Sequence, residues 1–411
     1  MKKIVILSIS VFALQLGAQT ITNYTIADGL ASNFVECIHV DVDDNIWFGT
    51  SIGLQNYDPS TLNWTNFNST TYPNMLSNNI KVINGTINSI WIGSDYGINV
   101  WNDPGPFFTA YTTSNGLNSN QVKSIDVNGN SPDDIWIGTN MGVSHFDGIN
   151  LISYSSPDLH WSGVNATAFD SNGDKWFASP LGGITHFDGI TFTTYDTSNG
   201  LLSQNVIDLI IDNQDNKWIG TGSGMSVLDA SNTSFTHYTQ MYLLAPPDTL
   251  NPVVDIEIDS YGRIWTAIYV GYLAEGGVAM WDGSQWIDFD ISDGLAGPNV
   301  KDLAIDSADN VWVATSTGVS KISFAPTQTS NFSKSRMHLY PNPTTGKIYI
   351  NSLEEEINTI AVYNSLGSIV YFVRPTSQQK IEIDFSSLQK GLYSISLISD
   401  KEMESHKVFV Q

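Results

Sequence analysis

The chain has 411 residues, 41% hydrophobic, 11% aromatic and only 14% charged, which is too apolar for a disordered chain and enough for a sizeable core. Forty-one acidic residues against 17 basic give a net charge of −24; that surface repels phosphate backbones and anionic membranes, so nucleic acid is excluded as a partner class. The one cysteine, Cys37, excludes an intramolecular disulfide framework and a Cys-rich metal cluster.

Residues 1–18 have the layout of a secretory signal: Lys2 and Lys3, a mostly apolar stretch from Ile4 to Leu16, then the small Gly17-Ala18 before an expected cut after Ala18. The stretch is shorter than the ~20-residue helix that crosses a bilayer core of about 30 Å. No cysteine follows it to carry a lipid, and no later segment is apolar enough to span a membrane. The expected location is extracellular or on the outer cell surface, reached through the periplasm.

From residue 19 the chain repeats. Trp47, Trp91, Trp136, Trp176, Trp218, Trp265 and Trp312 are separated by 44, 45, 40, 42, 47 and 47 residues. Each stands in a common frame, clearest around Trp218: an alternating strand (Ile207, Leu209, Ile211), a turn at Asp212 to Asn216, a second strand through Trp218, and a turn ending at Gly224. A third strand follows from Met225, and a fourth runs from Phe235 to Thr239. Period-two alternation bounded by Asn, Asp and Gly marks antiparallel hairpins. A self-similar period of roughly 40–45 residues marks a propeller of four-stranded blades. Seven tryptophans predict seven blades over residues 19–324. The seventh frame stops at Phe324 without its fourth strand, while a spare one, Ile21 to Thr25, precedes the first blade. The ring is expected to close by giving that N-terminal strand to the last blade, which removes two open sheet edges.

Asp28-Gly-Leu30, Asn115-Gly-Leu117, Asn199-Gly-Leu201 and Asp293-Gly-Leu295 precede frames such as Asp134 to Thr139 followed by Gly142-Val143. These resemble the two-component regulator propeller repeats found in periplasmic sensors of hybrid histidine kinases. The resemblance covers about 300 residues, with the second, fourth and sixth blades degenerate. This sequence adds neither a transmembrane helix nor a kinase to the propeller, so the sensing role is not carried over intact.

Residues 325–336 read as a Ser/Thr/Gln-rich linker, after which the tryptophan frame disappears. Tyr340-Pro341-Asn342-Pro343, Gly346-Lys347, the Val362 to Gly367 segment, Gly391-Leu-Tyr393 and the terminal Lys407 to Val410 occur in order. Together they resemble the C-terminal sorting domain of proteins exported by the type IX secretion system. Residues 337–411 are thus expected to form a small β-sandwich. The resemblance implies the type IX machinery as partner, passage through the outer membrane, and release or surface attachment.

Several patterns imitate catalytic or metal motifs. Gly49-Thr-Ser-Ile-Gly53 has the spacing of a nucleophile elbow, but its glycines belong to the repeat, returning as Gly93 and Gly97, Gly138 and Gly142, and Gly220 and Gly224, and the turn joins strand to strand. Asp41-Val-Asp43-Asp44-Asn45 matches the start of a calcium loop but lacks the sixth-position glycine and the twelfth-position carboxylate, so a side-chain-capped hairpin turn is expected. His145 and His186 fill one repeat slot on different blades, which points to structural work. His39 lies on an innermost strand and could reach the channel, without a partner in the sequence. No catalytic residue is assigned.

The strongest functional signal is a slot at the start of the innermost strand, where Asp208, Asp255 and Asp302 fall on blades five to seven and Cys37, Val82, Ser124 and Ala166 on blades one to four. Three neighbouring carboxylates would raise one another's pKa unless a cation or hydrogen-bond donors relieve them. The two longest insertions, 240–251 and the segment after Trp265, converge on the same place and carry Met241, Tyr242, Tyr269, Tyr272 and Glu275. Asp208, Asp255, Asp302, Tyr269, Tyr272 and Glu275 form the candidate ligand site, and a divalent cation there is the one cofactor the pattern allows. The leading expectation is a secreted, non-catalytic binding protein for a glycan or peptide. A metal-assisted lyase or hydrolase at the same mouth and a structural or adhesion role are the alternatives.

Overall fold

The computed structural model describes residues 19–86, 88–102, 108–128, 134–155, 159, 163–241, 251–269, 276–324, 337–340, 344, 346–352, 357–364, 369–373, 381–386, 388, 390–399 and 403–410. The expected signal and the linker 325–336 lie outside these residues. By internal contacts the chain divides into two compact units, residues 1–325 and 326–411.

The first unit holds seven four-stranded antiparallel sheets, each a blade of strands A to D from the inside outward. The A strands are Val35–Val40, Val82–Gly85, Val122–Val127, Ala166–Phe169, Val206–Ile211, Val253–Ile258 and Val300–Ile305. The ring closes as the repeat count requires. The N-terminal strand Gln19–Tyr24 pairs antiparallel with Val319–Phe324 and supplies strand D of blade seven.

The repeat frame has a local physical origin. After strand A the chain reverses on an aspartate that caps its own hairpin. Asp306 accepts the backbone N–H groups of Ala308 and Asn310 on one oxygen and the indole N–H of Trp312, 3.0 Å away, on the other. Asp41, Asp170, Asp212 and Asp259 hold Trp47, Trp176, Trp218 and Trp265 in the same way, at 2.8–3.1 Å. The calcium-like sequence is therefore a capped turn, with Asp44 in the left-handed region at φ 61°. The B–C turn is equally self-contained: Thr50 Oγ1 donates to the Gly53 carbonyl at 2.8 Å and accepts from Ile52 N–H. Gly53 has φ 142°, and an added Cβ would lie 2.4 Å from the Phe67 carbonyl oxygen, which is why the elbow-like spacing recurs. In the Asp-Gly-Leu turn Asp28 caps Thr25 N–H at 2.9 Å, and Leu30 is buried.

Blades pack face to face through the tryptophans and the apolar positions flanking them. One cluster joins Trp265, Val278 and Phe289 of blade six to Val300, Leu303, Val313 and Ile322 of blade seven. His145 and His186 stack on Trp136 and Trp176 with centroids 4.4 Å apart and bond Asp134 and Asp174 at 2.6 and 3.0 Å. They are structural, as their shared slot suggests. Asp170, Asp174 and His186 lie close enough together to approach one ion, but Asp170 is already spent on its turn and on Trp176.

The second unit has a three-stranded sheet (Met337–Tyr340, Lys347–Ser352, Ile381–Asp384) and a four-stranded sheet (Ile357–Tyr363, Ile369–Val373, Gly391–Ser399, Met403–Val410). Ile348, Ile350 and Ile383 of the first sheet share one core with Ile360, Val362, Ile395 and Val408 of the second, which makes the unit a small β-sandwich. Tyr340 ends a strand; Gly391 opens one, and Tyr393 is buried edge-on to Phe385 at 5.9 Å. Pro341, Asn342, Pro343 and Gly367 lie outside the described residues.

Candidate binding site at the channel mouth

The seven A strands enclose a central channel of about 540 Å³. Its walls are tied together by one polar link at each blade junction. Lys81 pairs with Glu36 at 3.1 Å between blades one and two. Asn84 and Asn165 donate side-chain amides to the carbonyls of Ile125 and Val206. Asp126 accepts Thr167 N–H at 3.0 Å. Asp208, Asp255 and Asp302 accept the N–H groups of Ile256, Leu303 and Ile38 at 2.8, 2.7 and 2.7 Å.

The three slot aspartates thus have a structural task that their sequence positions conceal: each clamps the inner strand of the next blade. They also share the channel wall. Each spends one oxygen on its clamp, and the Asp255 and Asp302 carboxyls lie within hydrogen-bond reach of each other. One proton held between two carboxyls relieves their repulsion without a cation.

Two further acids stand one step deeper, opposite the frame tryptophans: Asp126 pairs with Trp136, and Glu257 with Trp265. Sequence reasoning missed both, although the period-two rule that puts Asp255 on the channel side also puts Glu257 there. His39 lines the channel at the same depth. All these groups open on the channel but lie far inside the ring. Burial therefore pushes Asp126 up to about 7 and raises Asp208, Asp255, Glu257 and Asp302, with neighbouring carboxylates adding to the rise for all but Asp208. Burial holds His39 down to about 4.

Carboxyls with raised affinity keep protons that the unfolded chain releases above the ordinary values of 3.8 for aspartate and 4.5 for glutamate, so their contribution to stability is lost as pH rises through the folded values. His39 opposes this only up to its ordinary 6.5, below which its suppressed protonation costs stability. Above about pH 6.5 His39 no longer opposes the carboxyls, and near pH 9 the buried Cys37 thiol, whose value is also raised, acts in the same direction. Melting temperature is expected to fall by several degrees between about pH 6.5 and 9, each tenfold change in proton affinity being worth about 1.4 kcal/mol. The triple variant Asp208→Asn, Asp255→Asn, Asp302→Asn keeps an acceptor for every clamp and should flatten that slope. A wild-type melting temperature level across the window would show that these carboxyls ionise freely.

Each A strand also carries a β-bulge beside the slot. The register breaks between Val35 and Cys37, Val122 and Ser124, Val206 and Asp208, Val253 and Asp255, and Val300 and Asp302. In blades two and four Lys81 N–H and Asn165 N–H reach the carbonyls of Gly93 and Ala178, which already face Val82 and Ala166. A bulge sends its extra residue out of the ladder, here to the rim of the channel. Tyr269 follows strand B, whose last residue Ile268 pairs with Val253 at the start of strand A, so Tyr269 stands at that same rim. Its ring lies 4.6 Å from Lys301 Nζ, and Phe34 lies 5.7 Å from the same atom. Tyr272, Glu275 and Tyr242 fall outside the described residues, and Met241 is buried in the blade core.

Residues 338–411 match the family model of the secretion system C-terminal sorting domain, and residues 29–51 that of the two component regulator propeller. No curated protein sequence matches the chain. Among solved structures, the extracellular domain of a putative hybrid two component system from B. thetaiotaomicron aligns with a TM-score of 0.62 at 15% identity, covering 95% of this chain and 57% of that one. PorZ of Porphyromonas gingivalis, described as an essential bacterial surface component of the type-IX secretion system, aligns with a TM-score of 0.57 at 16% identity over 93% of this chain and 60% of its own. A streptogramin B lyase aligns with a TM-score of 0.58 at 12% identity over 75% of this chain and 98% of its own. The chain spans less than two thirds of the first two. At such identities the likeness shows the fold. Among the described residues no helix is long and apolar enough to cross a membrane.

Proposed function

We propose that the chain is a non-catalytic binding protein, delivered to the cell surface or beyond by the type IX machinery that reads its C-terminal domain, and that it takes a glycan or peptide at the mouth of the propeller channel. The observation that carries this reading is the rim itself. The residues beside the slot, Glu36, Lys81, Lys123, Asn165, Ile207, Val254 and Lys301, all line a channel of about 540 Å³, within the size range of ligand sites, and Phe34 and Tyr269 stand beside Lys301 at its edge. The sorting-domain match supports the export half.

A thermal-shift panel on the protein from residue 19 onward, against divalent cations, oligosaccharides and peptides, tests the binding half. A ligand present at 100 times its Kd adds about 2.7 kcal/mol and should raise the melting temperature by several degrees. A rise with one ligand class and no turnover supports the reading. Turnover abolished by chelation would replace it with a metal-assisted enzyme, and no response to any ligand would leave the structural role.

A further inference from the structure

We propose that the channel rim binds a carboxylate-bearing saccharide, an oligouronate, through Lys81, Lys123 and Lys301. The inference rests on the reading of the rim as a binding site and names its ligand class.

Residues 19–324 contain 33 acidic side chains and only seven basic ones. Four of the seven are used on the frame tryptophans. Lys175, Lys217 and Lys321 lie 5.8, 4.6 and 5.0 Å from the ring centroids of Trp136, Trp176 and Trp312, and Arg263 packs on Trp265 while pairing with Asp259. The remaining three all occupy the bulge position of an A strand and all line the channel. The only acidic residue at that position is Glu36, which pairs with Lys81. An otherwise acidic propeller therefore concentrates every cation not used for packing in one ring.

The ring is built to hold an anion at the rim. Lys123 is exposed and makes no ion pair among the described residues. Lys301 sits between the rings of Phe34 and Tyr269, contacts that restrict its long side chain before any ligand arrives and lower the entropy cost of binding. The slot carboxyls just beneath offer an anion no positive partner, which confines the charged group to the lysine layer. Phe34, 41% exposed, and Tyr269 offer apolar surface to the C–H face of a pyranose beside the lysine that takes its carboxylate. That combination favours a uronate over an acidic peptide, which the lysines alone would serve equally well.

Isothermal titration of the full chain tests this with three probes: oligogalacturonate and oligoglucuronate; neutral oligosaccharides of the same length and linkage; and a triglutamate peptide. The uronates should bind, their affinity should drop at least tenfold in Lys123→Ala and in Lys301→Ala, and it should weaken as salt rises from about 50 to 300 mM. Lys123→Ala, at an exposed position, should melt like the wild type. Neutral sugars binding as well as uronates, or uronate affinity unchanged by both substitutions, would overturn the lysine ring as the recognition element and leave the rim a neutral-glycan site. Triglutamate binding more tightly than the uronates with the same lysine dependence would overturn the saccharide assignment. Failure of every sugar and peptide to bind would overturn the reading of the rim as a binding site altogether.

Discussion

A chain beginning at Leu30 should lose at least about 5 kcal/mol of propeller stability, or on the order of 10 °C in melting temperature. The deleted segment supplies strand D of blade seven, with six residue pairs from Gln19–Phe324 to Tyr24–Val319. Its removal strips strand C of blade seven of its outer partner and opens a sheet edge. It also removes Tyr24, whose ring stacks 5.3 Å from Trp312 and lies 5.7 Å from Tyr57 of blade one, so the seam between the last blade and the first is loosened from both sides. Asn23 adds bonds to the Gly294 carbonyl and to Ser320 Oγ, each within 2.9 Å. Buried aromatic truncations cost about 3–5 kcal/mol; because Tyr24 is only half-buried, Tyr24→Ala alone should cost about 2–3 kcal/mol. Urea denaturation of the truncated, substituted and complete chains gives both figures. A truncated protein as stable as the complete one would mean that the ring is held by its other contacts and that the strand is dispensable.

A chain ending at Pro326 is expected to fold with an unchanged propeller melting temperature and to disappear from the extracellular and surface fractions. The propeller's core clusters are built from its own residues, and the C-terminal sandwich has a separate core around Ile348, Ile360, Phe385 and Ile395. Loss of the tail therefore removes no buried contact from those clusters, whereas it removes the whole segment that matches the sorting domain. Fractionating cells that express each form measures the outcome, with a loss from outside the cell of tenfold or more expected, and accumulation in the periplasm. Export of the shortened chain at the normal level would sink the sorting role of residues 337–411.

The blade frame was legible because it is made of short-range physics. In five blades the aspartate that caps the A–B hairpin and the tryptophan it holds are six residues apart, and the Thr–Gly bond of the B–C turn spans three. The repeat spacing thus encodes a hydrogen-bonded unit that forms without knowledge of its neighbours. Closure by the N-terminal strand followed from counting, since one strand was missing at the end and one was spare at the start. The slot of Asp208, Asp255 and Asp302 was also legible as a pattern.

What those aspartates do was not. Asp302 clamps Ile38, 264 residues away, and Asp208 and Asp255 reach 48 residues to the next blade. Only the closed ring brings these partners into contact. The raised proton affinities of Asp126 and Glu257 come from depth inside that ring, a property of the assembled surface rather than of the local sequence. The lysine rim depends on the bulges. Shifting one residue out of the ladder reverses which side chain faces the channel, so strict alternation along strand A points Lys123 and Lys301 away from the place where the register break puts them. Sequence by itself determined the repeat, its turns and its number; tertiary structure decided the clamps, the protonation of the channel and the charge of its mouth, because these arise from contacts between blades that the chain brings together only when the ring is complete.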